Sequence, residues 1–157
     1  MINYFKETDH EPFFNYGLKL NHKHLPEIIY HNNLEKTPIF SPSVGDFIQG
    51  MIVSIPLHFS WFNDEIDTEK VQYLMEEFYS GANFIKVLKK DEGISDKGYF
   101  RPDNLVGTNC LDISVFGNDD NDQLIIFSRL DNLGKGASGA AIQSMNIALG
   151  YNETLGL

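Results

Sequence analysis

The sequence has a single cysteine, no long apolar run and few basic residues. Cys110 stands alone among 157 residues, so no disulfide can form within the chain. No run of about eighteen apolar residues occurs, so no membrane span is predicted. The first residues lack the basic-then-apolar pattern of a secretory signal. These features are typical of a protein of the reducing cytoplasm, and we expect a cytoplasmic location.

Acidic residues outnumber basic ones. Twelve Lys and Arg residues stand against 22 Asp and Glu residues, which gives a formal net charge of −10. This charge disfavours nucleic acid and anionic membranes as partners, because both are negatively charged. The acidic runs at residues 64–67 and 119–122 are interpreted as solvated loops. The second run lacks the flanking helices and the closing Glu of a calcium-binding loop, so no metal site is predicted there.

The hydrophobic residues suffice for a core and follow the periods of helices and strands. They make up 42% of the chain, and 157 residues fit one domain spanning 1–157. Their pattern predicts helices over residues 25–33, 67–79 and 135–149, and strands over residues 37–44, 51–59, 83–88, 107–116 and 123–130. The last two strands are expected to pair antiparallel. We therefore predict an α+β fold with a mixed, largely antiparallel sheet and helices on one face.

Apolar stripes and prolines indicate how these elements pack. One face of the second helix is formed by Val71, Leu74, Met75 and Phe78. The stripe of the last helix is formed by Ala137, Ala141, Met145 and Leu149. Pro42 and Pro56 lack an N–H donor, which places their strands at a sheet edge or makes them irregular. If the sheet face away from the helices is also apolar, another chain or domain must cover it.

A segment of small residues, 131–141, joins the last strand to the last helix. Small residues at a helix start let a ligand approach the backbone, where free N–H groups and the positive end of the helix dipole lie. Tight packing between helix and strand accounts for the same composition. Spacing alone leaves both interpretations open.

His22 and His24 are suited to proton transfer, because imidazole titrates near neutral pH. In an extended segment the two side chains point to the same side, whereas in a turn they need not. Polar surface histidines are the alternative interpretation. A metal site is not predicted, because no third ligand is evident beyond Glu27.

Three stretches resemble the motifs of one enzyme family, in the family's order and spacing. Residues 22–28 read HKHLPEI and resemble H-R-H-x-P-E-I, and residues 107–116 read GTNCLDISVF and resemble G-S-N-x-x-D-I-x-V-F. Residues 131–146 read DNLGKGASGAAIQSMN and resemble D-N-L-x-K-G-A-x-G-x-A-x-Q-x-M-N. Over nearly its whole length the chain resembles the N-acetyl-γ-glutamyl-phosphate reductases of arginine biosynthesis.

The resemblance implies an NADP-dependent oxidoreductase that converts N-acetyl-γ-glutamyl phosphate to N-acetylglutamate semialdehyde. In that family a cysteine attacks the acyl phosphate to form a thioester, hydride comes from the nicotinamide, and a histidine handles protons. The implied fold is that of the C-terminal domain of glyceraldehyde-phosphate and semialdehyde dehydrogenases. A homo-oligomer assembled through the sheet is expected with it.

The resemblance also implies roles for single residues. His22 is the expected catalytic acid and base, with His24 as the alternative or as a substrate contact. Lys23 stands where the family usually has Arg, so a substrate-binding position keeps its charge but not the bidentate geometry. Asn132 and Gly136 are expected to contact the cofactor, although Asn132 also suits a turn. Asp112, within a predicted strand, is interpreted as a structural polar partner.

Two parts of the family pattern are missing. The nucleophile motif G-N-P-G-C-Y-P-T does not occur, and Cys110 lies at a family position that is not the nucleophile. We identify no dinucleotide fingerprint G-x-G-x-x-G after a strand, so the nucleotide-binding domain is expected to be absent, and NADP is expected to bind mainly to a part of the enzyme outside this chain. The chain thus resembles the C-terminal half, and we expect it to be inactive alone. A non-enzymatic α+β dimerisation module and a related semialdehyde dehydrogenase stay as alternatives, and the HKHLPE stretch argues against the latter.

Overall fold

The computed structural model of the chain describes residues 11–157, which divide into two units between Ile48 and Gln49. The first unit contains β1 (Phe13–Asn15), α1 (Leu25–Asn32) and β2 (Ser43–Gly45). The second unit contains β3 (Met51–Leu57), α2 (Thr68–Phe78), β4 (Ile85–Val87), β5 (Leu111–Asn118), β6 (Gln123–Leu130) and α3 (Gly139–Ala148). Within residues 11–157, no helix has both the length and the apolar character needed to cross a membrane.

In the first unit, β1 and β2 form an antiparallel pair, and α1 lies between them in sequence. The helix predicted over residues 25–33 is confirmed: Pro26 occupies its first turn, where no N–H donor is needed, and Asn33 ends it at φ 49°. The strand predicted over residues 37–44 is wrong except for its last two residues, which belong to β2. Pro42 removes an N–H donor directly before β2, which limits how far a paired strand can extend.

The second unit is built on a four-stranded sheet with the order β3–β6–β5–β4. β6 pairs antiparallel with both β3 and β5, and β4 pairs parallel with β5. This mixed, largely antiparallel sheet confirms the α+β class, and β6 has the bounds predicted from the sequence. β3 lies at the edge of the sheet, as its Pro56 indicates.

One face of the sheet packs against α2. The buried core cluster consists of Val71, Val115 and Leu124. From the predicted apolar face of α2, Val71 and Met75 pack inwards, while Leu74 is 42% and Phe78 79% exposed. The prediction for α2 is therefore only half right, because the helix lies over β4 and β5 and a narrow stripe suffices to cover them.

The other face of the sheet is partly covered by the unit's own loop between β4 and β5. Phe100 of this loop lies with its ring centroid 5.6 Å from Phe127 and 6.4 Å from Phe116. The guanidinium of Arg129 lies 4.5 Å from the centre of the Phe100 ring. An apolar face is thus present, and a loop of the same chain shields part of it.

The last helix begins later than predicted. A π-helical turn, Gly134–Ser138, precedes α3. Gly139 and Asn146 are buried, whereas Met145 and Leu149 of the predicted stripe are 51% and 62% exposed. The apolar stripe of the last helix is therefore largely exposed. Hydrogen bonds from Asn146, rather than apolar packing, hold the inner side of the helix.

Candidate functional site

In the first unit, the predicted site residues lie on the turn that carries His22, Lys23 and His24 directly before α1. The N–H of Leu25 donates to the carbonyl of His22 at 3.0 Å, and the Leu25 side chain is buried. Leu25 and Pro26 fix the start of the helix, which gives the preceding turn a defined shape. The two imidazole rings meet edge to face, with their centroids 4.8 Å apart.

His22 is the half-buried member of this turn, while Lys23 and His24 are exposed. Its ring centroid lies 4.8 Å from that of Phe40 and 5.8 Å from that of Tyr16. The backbone N–H of His24 donates to Nδ1 of His22 at 3.3 Å. Because Nδ1 accepts, the proton of the neutral ring lies on Nε2, so Nε2 is the nitrogen that can donate to a ligand.

In the second unit, Asn132 and Gly136 lie close in sequence to Asp131, which follows β6 and is 1% exposed. Its Oδ1 accepts hydrogen bonds from the N–H groups of Leu133 at 2.8 Å and Gly134 at 3.0 Å. Its Oδ2 accepts from the N–H of Gly107 at 2.8 Å and from the side chain of Gln49 at 2.6 Å. Burial opposes ionisation of Asp131, but these hydrogen bonds, led by that from Gln49, outweigh it and lower the pKa to about 2.

The carboxylate of Asp131 binds backbone N–H groups at the start of the helical segment, where the sequence analysis allowed for a ligand anion. The backbone carbonyl of Asp131 accepts from the N–H of Gly136 at 2.8 Å. The side chain of Asn132 accepts from the N–H of Gly50 at 2.7 Å. These contacts favour tight packing as the reason for the small residues. The cofactor contacts expected of Asn132 and Gly136 stay predictions.

The expectation that no G-x-G-x-x-G follows a strand is wrong, because Gly134, Gly136 and Gly139 have this spacing shortly after β6. The fingerprint requires a parallel βαβ unit, whereas β6 pairs antiparallel with both of its neighbours. A Cβ at Gly139 would lie 2.2 Å from Oδ1 of Asn109, and one at Gly134 would lie 2.9 Å from the carbonyl of Thr108. These two glycines therefore allow close packing of the chain on itself.

The stretches 107–116 and 131–146 lie against each other. Nδ2 of Asn109 donates to Oε1 of Gln143 at 3.1 Å, and Lys135 binds the same oxygen. Asn146 is 2% exposed and donates to two backbone carbonyls of the C-terminal tail, at 3.2 and 2.9 Å. The polar residues shared with the reductase motifs therefore hold α3 and the tail in place.

A buried ion pair connects β5 and β6. Nη2 and Nε of Arg129 lie 2.7 and 2.9 Å from Oδ2 of Asp112, and both side chains are buried. Nη1 of Arg129 donates to the carbonyl of Gly93 at 2.9 Å. The interpretation of Asp112 as a structural polar partner is confirmed.

The predicted site residues fall in both units. His22, Lys23 and His24 lie in the first unit, and Asn132 and Gly136 lie in the second. In the part of the chain that the structure describes, no three His, Cys, Asp or Glu side chains are grouped to hold a metal ion. The buried Asp131 is absent from the predicted site, although an acid directly after a strand and before a helix is a recognisable signal for a turn or cap.

The second unit is an α+β domain whose four-stranded sheet packs against α2 on one face. The family model described as semialdehyde dehydrogenase, dimerisation domain, matches residues 3–132, and the chain belongs to this family.

Curated relatives extend the match beyond this domain. The chain is 43% identical over 152 residues to N-acetyl-gamma-glutamyl-phosphate reductase 2 of Nostoc sp., covering 96% of the chain and 47% of the relative. It is 44% identical over 137 residues to N-acetyl-gamma-glutamyl-phosphate reductase of Brucella ovis, covering 87% of the chain and 44% of the relative. The chain thus spans about half the length of the curated relatives it matches. These matches confirm the resemblance carried by the three motif stretches.

Proposed function

We propose that the chain supplies the proton-transfer histidine and the dimerisation surface of a cytoplasmic, NADP-dependent N-acetyl-γ-glutamyl-phosphate reductase. Substrate and NADP bind with the help of the half of the enzyme that this chain does not match, so the chain alone does not catalyse the reduction. The observation that carries the proposal is the turn at His22. It presents a half-buried imidazole with Nε2 as the donating nitrogen, in a chain 43% identical to a reductase.

The chemistry needs such a donor. Bound NADPH would supply a hydride to the acyl carbon, so a protein group near the carbonyl oxygen would have to stabilise the negative charge that develops there. Nε2–H of His22 donates to this oxygen and stabilises the developing charge. The exposed Lys23 and His24 on the same turn are suited to bind the anionic groups of the substrate.

A chimera tests the role of His22. It joins this chain to the half of the Nostoc reductase that the chain does not match. We expect the chimera to reduce N-acetyl-γ-glutamyl phosphate with NADPH, and His22→Asn to lower kcat by about 10²-fold or more with an unchanged Kd for NADPH. His31→Asn is the matched control, because His31 is an exposed histidine at the end of α1.

Three results would contradict this proposal. One is an inactive wild-type chimera, another is a full rate for His22→Asn, and the third is an equal loss in His31→Asn. Turnover by the 157-residue chain without the other half would contradict the expectation that it is inactive alone.

The dimerisation surface is proposed to include the open part of the sheet at β3. Ile55 pairs with Ile126, which packs against the core, so Ile55 points to the same side but extends beyond α2. Val53 and Ile55 are 39% and 46% exposed on this edge strand. Exposed apolar residues on an unpaired edge are typical of an interface.

The mass of the chain in solution tests this surface. We expect a dimer by light scattering, and a monomer for Ile55→Lys, because a buried unpaired charge disfavours association. Tyr73→Lys, at an exposed aromatic residue of α2, is the control and should stay dimeric. A wild-type monomer, or an unchanged mass for Ile55→Lys, would show that this part of the sheet is not the interface.

A further inference from the structure

The imidazole of His22 lies among three other rings and accepts one long hydrogen bond. Its centroid lies 4.8 Å from those of Phe40 and His24 and 5.8 Å from that of Tyr16. The hydrogen bond from the N–H of His24 to Nδ1 of His22 measures 3.3 Å. A bond of this length is weak, so the orientation of the imidazole depends mainly on the rings that pack against it.

Phe40 is the ring that contacts both histidines of the turn. Its centroid lies 4.8 Å from that of His22 and 6.1 Å from that of His24. The side chain of Phe40 is half-buried, whereas that of its neighbour Ile39 is 85% exposed. Tyr16 is 40% exposed, and its ring lies farther from the imidazole of His22. Among these rings, Phe40 is therefore the best placed to hold the imidazole.

The backbone near Phe40 is fixed directly beyond the paired ends of β1 and β2. The N–H of Tyr16 donates to the carbonyl of Pro42 at 3.1 Å. Gly17 follows with φ 66°, a conformation that strains other residues, and a Cβ there would lie 3.7 Å from Cδ2 of His22. The pairing of the two strands thus brings the segment of Phe40 against a histidine from far earlier in the chain.

We propose that Phe40 is a positioning residue for His22. Its ring packs on the imidazole and keeps Nε2–H in one orientation, from which it donates to the carbonyl oxygen of the acyl group. Phe40 acts through His22, because a phenyl ring carries no group that transfers a proton. An imidazole that rotates freely is often misdirected, and catalysis is sensitive to such errors of orientation. The proposal rests on the proposed function in that it takes His22 as the proton donor of a reductase.

The size of the expected effect follows from the ring contacts. An aromatic pair contributes a free energy that corresponds to a change of about two- to tenfold in rate. Phe40→Leu keeps an apolar side chain but removes the ring, so we expect it to lower kcat of the chimera by about two- to tenfold. The KM for the acyl phosphate and the Kd for NADPH should change by less than about twofold, because the contact acts on the transition state.

Two variants serve as controls in the same chimera. Phe40→Tyr keeps the ring, so its kcat should stay within about twofold of wild type. Phe47→Leu removes a partly exposed phenylalanine of the same unit, whose ring packs at Gly45. It should also leave kcat unchanged. An equal loss in Phe47→Leu, or no recovery in Phe40→Tyr, would overturn the proposal.

A double mutant separates the positioning of His22 from a general loss of structure. If Phe40 acts through His22, adding Phe40→Leu to His22→Asn should lower kcat by less than about twofold beyond the single variant. A further loss as large as that seen with His22 intact would show that Phe40 acts through another group, such as His24. That result would overturn the proposal.

The tautomer of His22 gives a readout that needs no turnover. Long-range ¹H–¹⁵N correlation spectra of the isolated chain distinguish Nε2–H from Nδ1–H at a pH where imidazoles are neutral. We expect the Nε2–H form of His22 in wild type and a mixture of both forms in Phe40→Leu. A mixture in wild type would overturn the proposal, and so would an unchanged tautomer in Phe40→Leu with a wild-type circular dichroism spectrum. If Phe40→Leu does not fold, the wild-type spectrum decides alone.

Failure of the positioning proposal is distinguishable from failure of the proposed function. An inactive wild-type chimera contradicts the proposed function, while the tautomer of His22 in the isolated chain still tests its contact with Phe40. An active chimera that is slowed by His22→Asn but not by Phe40→Leu keeps the proposed function and overturns the positioning role.

Discussion

The buried carboxylate of Asp131 offers a sharp test of what holds the second unit together. Each of its oxygens accepts two hydrogen bonds, so Asp131→Asn replaces one acceptor with an NH₂ group that faces two donors. Leaving two buried donors without an acceptor costs about 1–3 kcal/mol each, so we expect the free energy of unfolding at pH 7 to fall by about 2–6 kcal/mol. The measurement is urea denaturation followed by circular dichroism.

The pH dependence of the same variant gives an independent check. The folded-state pKa of about 2 lies below the ordinary value of 3.8, so ionised Asp131 stabilises the folded state. The difference corresponds to about 2.5 kcal/mol, which is fully present above about pH 4 and is lost as pH falls through about 2. We expect wild type to lose this contribution on acidification and Asp131→Asn not to lose it.

Asp96→Asn is the control for Asp131→Asn, because Asp96 is exposed. It should leave both the stability at pH 7 and the acid dependence unchanged. An Asp131→Asn variant within about 0.5 kcal/mol of wild type at pH 7 would refute the role of the four hydrogen bonds, since surface substitutions have effects of that size. A pH profile identical to that of wild type would refute the assignment of the low pKa to this carboxyl group.

Three further substitutions test the packing around this site, each by urea denaturation. Gly139→Ala should lower the free energy of unfolding by about 1–3 kcal/mol, because its Cβ would lie 2.2 Å from the buried amide oxygen of Asn109. Gly136→Ala should cost clearly less, because the nearest neighbour of its Cβ would be a leucine methyl at 3.1 Å. Equal losses in the two variants would contradict the packing. Arg129→Met should lower the free energy of unfolding by about 3–5 kcal/mol, because it leaves the charge of Asp112 buried without its partner. Adding Asp112→Leu should recover part of this loss, and purely additive losses would contradict the coupling of the two residues. Asp67→Ala should cost about 0.5–2 kcal/mol through loss of the cap on α2, and no loss would contradict the cap.

The elements predicted best from the sequence are those with local signals. The short apolar run within residues 123–130 predicts β6 with its observed bounds, and Pro56 predicts the edge position of β3. α1 and α2 follow from Pro26 at a helix start and from Asp67 at a cap. In each case the residues that decide the structure lie within a few positions of one another.

The parts that were not predicted depend on contacts between distant segments. The Oδ2 atom of Asp131 accepts hydrogen bonds from Gln49 and Gly107, which lie 82 and 24 positions earlier in the chain. No local sequence pattern predicts contacts over such separations. Part of the candidate site could nevertheless be predicted from the sequence, because the motif stretches identify His22. The acceptor role of its Nδ1, however, follows from the backbone direction at His24, which only the structure gives.

The last helix shows why an apolar stripe does not by itself reveal which way a helix faces. Periodicity identifies Met145 and Leu149 as one face, but it cannot say whether that face meets the helix's own unit or another part of an enzyme. The polar residue Asn146 decides the question, because its amide binds two tail carbonyls and draws the opposite side of the helix inwards. A buried Asn costs free energy unless its hydrogen bonds are made, and here they are made only with the apolar stripe turned outwards. The direction in which the last helix faces is therefore set by hydrogen bonds to a distant segment, which an apolar period does not contain.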